Sequence, residues 1–90
     1  SKAGLLALTR RAAAALAPSG VTVNAVAPGT IDGETVRELA GERIEELASD
    51  IPAGRLGRPE EIAALVAWLL SNEAAYVNGA TMLADGGAAL

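Results

Sequence analysis

The sequence predicts an α/β fold in which helices flank a parallel sheet, in the order helix, strand, helical insertion, helix, strand. Three observations lead there. Val21 to Val26 is rich in β-branched residues and apolar at nearly every position, the pattern of a strand covered on both faces. Ala27-Pro28-Gly29 follows it directly and stops it. The next strand, Ala80 to Ala84, lies far enough along the chain to require a crossover, which implies parallel neighbours and a right-handed connection.

Each element has its own signal. Ser1 to Ala17 reads as a helix whose apolar face is Leu5, Leu8, Ala12 and Leu16, with Arg10 and Arg11 off that face. Pro18-Ser19-Gly20 ends it. Between Ile31 and Asp50, Val36, Ala40, Ile44 and Leu47 form an apolar stripe that Gly41 interrupts. Two short helices, about Glu34 to Ala40 and Glu42 to Ser49, fit better than one. Ile51 to Arg58 is a loop with Pro52, Gly54 and Gly57. Pro59 opens a helix with Glu60 and Glu61 in its first turn, where proline and acids are both favoured. Ile62, Leu65, Val66 and Leu69 form the expected buried stripe, and Asn72 is the expected helix end. Asp85-Gly86-Gly87 is a turn signal.

Composition narrows the chemistry. Half of the 90 residues are hydrophobic, and the formal net charge is −4. The seven basic residues are scattered, so no footprint for nucleic acid or for an anionic membrane surface is expected. Without cysteine or histidine the chain has no disulfide, no thiolate metal site and no histidine acid or base. No metal site is expected. No apolar run approaches a membrane span, so the reading is a soluble, cytoplasmic protein. The chain opens on Ser1-Lys2-Ala3-Gly4-Leu5, inside a helix, and two strands alone would leave large apolar faces uncovered. A piece of a longer protein is the expectation.

Taken alone, Lys2 reads as a solvated cation on a helix, and Pro28-Gly29 as an ordinary turn at a strand end. The C-terminal end of a parallel strand is nonetheless where ligands bind in open α/β sheets.

Several blocks together carry more. Ser1-Lys2-Ala3-Gly4 resembles the end of the Tyr-x-x-x-Lys signature of short-chain dehydrogenases/reductases, and Val23-Asn24-Ala25-Val26-Ala27-Pro28-Gly29 resembles their nicotinamide motif. Pro52 to Ala63 resembles their loop into the penultimate long helix, and Ser71 to Gly79 with Asp85-Gly86-Gly87 resembles their final strand region. The blocks stand in family order and spacing over essentially the whole chain, most similar to the 3-oxoacyl-acyl-carrier-protein reductase-like members.

The resemblance implies the C-terminal part of one Rossmann-type, doubly wound parallel sheet over residues 1–90, with a lid at about 33–50. It implies an enzyme that uses NAD or NADP to interconvert a carbonyl and a secondary alcohol by hydride transfer on a small molecule. Lys2 then matches the catalytic lysine that binds the nicotinamide ribose and lowers the pKa of a tyrosine. Pro28 and Gly29 match the turn against the nicotinamide, and Ile31 the residue whose backbone holds the carboxamide. Gly33 departs from the pattern, since relatives often carry Thr there to contact the cofactor; here Thr35 lies two further on. The matching tyrosine would stand four residues before Lys2, with the glycine-rich phosphate loop and catalytic serine further upstream. Tyr76, the one tyrosine present, matches a structural position. The implied partners are an N-terminal part of the same fold and further copies of the chain. Trp68, off the main helical stripe, is a candidate for that interface or for the core. Two other readings stand beside this one: a non-catalytic half-domain that associates through its exposed sheet, and a helical interaction module, which the strand at 21–26 disfavours.

Overall fold

The computed structural model describes residues 1–89. Six main elements follow in order: α1 (Lys2–Leu16), β1 (Ala25–Pro28), α2 (Glu34–Ala40), α3 (Ile44–Ser49), α4 (Pro59–Leu69) and β2 (Thr81–Ala84), with short 3-10 turns at Ala17–Ser19, Gly41–Arg43 and Asn72–Ala74. β1 and β2 form one two-stranded sheet. The Ala25 N–H donates to the Ala80 carbonyl and the Gly29 N–H to the Ala84 carbonyl. Both numbers rise together, so the strands are parallel, as the crossover requires. Since Ala25 and Gly29 point their amides at β2, the period of two turns the nitrogen of Pro28 away from it. Proline therefore removes no ladder bond there, and the strand includes Pro28 instead of stopping before it.

The described residues divide into two compact units, residues 1–26 with 65–82, and residues 27–64 with 83–89.

In the first unit, Ser1 caps α1 by accepting the Gly4 N–H on Oγ at 3.1 Å. The face that α1 buries differs from the expected one. Thr9 and Ala13 are 5% and 4% exposed, whereas Leu5 and Leu8 remain 51% and 64% exposed. Small side chains decide this. A β-carbon on Gly79 would sit 3.4 Å from the Ala13 β-carbon, and Asn78 Nδ2 donates to the Ala13 carbonyl at 3.2 Å. The Thr9 hydroxyl is satisfied within the helix by the Leu5 carbonyl at 2.7 Å.

Strand pairing starts at Ala25, not Val21, because two asparagine side chains occupy the approach. Asn78 Oδ1 accepts the Val23 N–H at 2.9 Å. Asn24 donates to the Val77 carbonyl and accepts the Ala80 N–H, at 3.1 and 2.9 Å. Side chains thus take over part of the pairing before the ladder, where the Gly79 N–H still donates to the Val23 carbonyl at 2.8 Å.

α4 ends at Leu69, three residues before the expected Asn72, because Ser71 turns the chain with its amide and hydroxyl both on the Trp68 carbonyl. Its stripe is only half-covered: Ile62, Leu65 and Leu69 are intermediate, and Val66 is exposed. Among the described residues the buried apolar side chains are Ala13, Ile51 and Ala74.

In the second unit, α2 and α3 divide where glycine interrupts the stripe. Gly41 has φ 53 and ψ −121, a backbone conformation that L side chains rarely adopt. The loop after α3 folds back through Ile51, which is buried. The Ala53 N–H donates to the Gly86 carbonyl at 3.0 Å, and a β-carbon on Gly86 would lie 2.8 Å from Ile51 Cγ2. Asp85 closes the turn by accepting the Gly87 and Ala89 amides on its two oxygens.

Candidate functional site

The end of β1 and the segment after it hold three of the four residues singled out from sequence. Pro28 is the exposed last residue of β1, and Gly29 follows at the strand's end. A β-carbon on Gly29 would stand 2.7 Å from the Asp85 β-carbon and 2.8 Å from its α-carbon. Backbone cannot yield as a flexible side chain can, so the close approach of the chain after β2 requires glycine here. This packing reason was not visible in the sequence.

Ile31 forms an isolated parallel bridge with Gly57. The Gly57 N–H donates to the Thr30 carbonyl at 3.0 Å, and the Gly57 carbonyl accepts the Asp32 N–H at 2.8 Å. In that geometry the amide and carbonyl of Ile31 itself point away from Gly57. They form a donor and an acceptor side by side on extended backbone, which is the complement of a primary carboxamide. A β-carbon on Gly57 would meet Ile31 Cδ1 at 2.7 Å, so glycine at 57 gives the isoleucine its room. A pocket of about 290 Å³ is lined by Thr30, Ile31, Ala53, Gly57, Ile62 and Asp85, among others.

Two bidentate ion pairs border this region. Arg37 Nε and Nη2 donate to Asp32 Oδ1 and Oδ2 at 2.6 and 2.8 Å. The hydrogen bond from Arg37 holds the Asp32 carboxyl below the usual carboxylate range, and its charge adds to the effect. Arg55 donates to both oxygens of Glu61, at 2.6 and 2.9 Å. Glu61 also accepts the Arg58 N–H at 3.0 Å, reaching back to the residue before Pro59 as the acid of a capping box does. Its carboxyl is lowered to about 2, first by the Arg55 hydrogen bond and then by the Arg58 amide. From sequence Glu61 was read only as a favourable acid in the first turn. Its separation from Arg55 falls outside the helical pair spacings, and Asp32 and Arg37 likewise join a loop to a helix.

Lys2 belongs to the first unit, in the first turn of α1, and is exposed. Gly33 precedes α2 in extended backbone, with nothing within 4 Å of where its β-carbon would be. Thr35 is exposed in the first turn of α2, and Tyr76 is fully exposed.

The family model described as enoyl-(acyl carrier protein) reductase matches residues 1–89. A 3-oxoacyl-(acyl-carrier-protein) reductase of Pseudomonas aeruginosa is 51% identical over 87 residues, 97% of this chain and 35% of that protein. The chain belongs to the short-chain dehydrogenase/reductase family. Solved structures of the family agree with the fold. A short chain dehydrogenase from Bacillus anthracis superposes with a TM-score of 0.82 at 44% identity, covering 99% of this chain and 35% of the other. YwfH, an NADPH-dependent reductase involved in bacilysin biosynthesis, gives 0.89 at 36% identity, covering 96% and 37%. The chain therefore spans about a third of the length of the relatives it matches, and the two parallel strands and their helices are part of the family's Rossmann fold.

Proposed function

We propose that this chain is the C-terminal part of an NAD- or NADP-dependent reductase, and that it supplies the nicotinamide side of the active site. The observation that carries this reading is the bridge between Ile31 and Gly57, which leaves the Ile31 amide and carbonyl facing away from Gly57. A nicotinamide carboxamide offers the matching acceptor and donor. When bound, the dinucleotide supplies the hydride.

The protein's own contribution is positional and electrostatic. Ile31 fixes the carboxamide and hence the ring face that meets the substrate. Pro28 and Gly29 form the wall beside it. Lys2 holds the ribose hydroxyls, and its ammonium favours the phenolate of a tyrosine four residues before it, bringing that group toward working pH as acid and base. α2 and α3 cover the acceptor pocket, where a small carbonyl or alcohol binds. The complete protein is a cytoplasmic homo-oligomer in this reading, and the exposure of Trp68 and Leu70 supports such a contact. Reduction of a panel of carbonyl compounds by the complete protein, followed by NADH or NADPH absorbance across pH, tests the proposal. Lys2→Met should lower kcat and move the base's apparent pKa up toward that of a free tyrosine, about 10. An unchanged profile at wild-type rate would exclude the role of Lys2.

A second reading has one observation in its favour. Leu5, Leu8 and Val23 to Val26 line an apolar groove of about 520 Å³. A structural half-domain that associates through this surface would use it without catalysis. The intact mass of the native protein, with light scattering, separates the two: a chain far longer than these 90 residues favours the first, and a native chain of this length in a stable oligomer favours the second.

A further inference from the structure

The Ile31 loop is held from two directions. On one side, the Gly57 bridge fixes Thr30 to Asp32. On the other, the fork from Arg37 to Asp32 joins the same loop to α2. Among the described residues, no other hydrogen bond joins residues 30–32 to α2. Gly33 provides no side-chain cap, and the first helical bond there runs from the Arg37 N–H to the Gly33 carbonyl at 3.0 Å. A seven-residue helix is too short to hold its place by its own propensity. Arg37 therefore makes both links, one by its backbone and one by its guanidinium. A planar fork on a carboxylate fixes direction as well as distance, which a lysine in its place would not do.

We infer that Arg37 is a positioning residue, which couples the placement of α2 to the backbone of Ile31 through Asp32. The inference rests on the proposed role of Ile31. Motion of α2 then pulls on Asp32, one residue from the carboxamide contact, and binding of the nicotinamide end in turn favours one placement of α2. Arg37 touches neither cofactor nor substrate in this account.

The test uses the complete protein and two probes: the reduced dinucleotide that the wild type binds, and ADP-ribose or its 2′-phosphate, which lacks the nicotinamide. Asp32→Ala and Arg37→Ala should each weaken dinucleotide binding by roughly two- to fivefold, the range expected for an exposed pair. The double variant should be no weaker than either single one, because the two act as a unit. ADP-ribose affinity should not move, which also shows that the variants are folded. Equal losses for both probes, additive losses, or no loss of dinucleotide affinity would overturn the inference. Failure of the wild type itself to bind any nicotinamide dinucleotide would instead overturn the reading of Ile31 on which it stands.

Discussion

Gly29 and Asp85 approach so closely that a β-carbon on the glycine would stand 2.7 Å from that of the aspartate. The first follows β1 and the second follows β2. The Asp85 carboxylate caps its own turn. Family resemblance assigns Gly29 to the cofactor, but the packing alone already requires it.

Gly29→Ala should therefore destabilise the complete protein by about 1–3 kcal/mol through overpacking, whether or not cofactor is present. Denaturant melts with and without dinucleotide check this. Gly33→Ala is the control, since it meets open space in extended backbone.

Gly33→Thr should be neutral to stabilising, by about 0.5–1 kcal/mol. It adds a capping hydroxyl at the start of α2 and removes glycine's freedom from the unfolded chain. It also places there the residue that the family resemblance leads one to expect. Thermal melts read the stability, and dinucleotide titration shows whether the hydroxyl adds a contact.

Asn24→Ala should cost about 1–3 kcal/mol, because it leaves the Val77 carbonyl and the Ala80 amide without partners in a part-buried position. Faster hydrogen exchange at Ala80, ahead of any change in α2, would locate the effect at the start of the sheet.

Glu61 carries a pH signature. Its carboxyl is depressed to about 2 from an ordinary value of 4.5. A depressed acid contributes stability that is present above the ordinary pKa and is lost as pH falls through the folded one. Stability should therefore decline between about pH 4.5 and 2, and Glu61→Gln should flatten that part of the profile. Urea midpoints measured across the window decide it.

Some of this was legible in the residues. Gly41 in the middle of an apolar stripe, Pro59 before two acids, and Asp85-Gly86-Gly87 after a short apolar run are local signals, and each marks a break that the chain makes. The buried side of α1 was not legible. Thr9 and Ala13 are chosen by smallness against the turn at Asn78 and Gly79, and hydrophobic periodicity does not record smallness. The start of β1 was missed for a related reason: Asn24 and Asn78 satisfy backbone groups 53 to 56 residues away, and nothing nearby in sequence announces it. For the candidate site, Lys2, Pro28, Gly29 and Ile31 could be named, but from the family resemblance alone. The Gly57 bridge and the two arginine forks could not, since each joins a loop to a residue that only the fold brings near.

If Ile31 presents its backbone to a nicotinamide carboxamide, the amide resonance of Ile31 reports on that contact. In the complete protein, labelled with nitrogen-15, the reduced dinucleotide should shift the Ile31 amide and ADP-ribose should leave it in place. An Ile31 amide that does not respond to a bound dinucleotide, or that responds equally to both probes, would contradict the account.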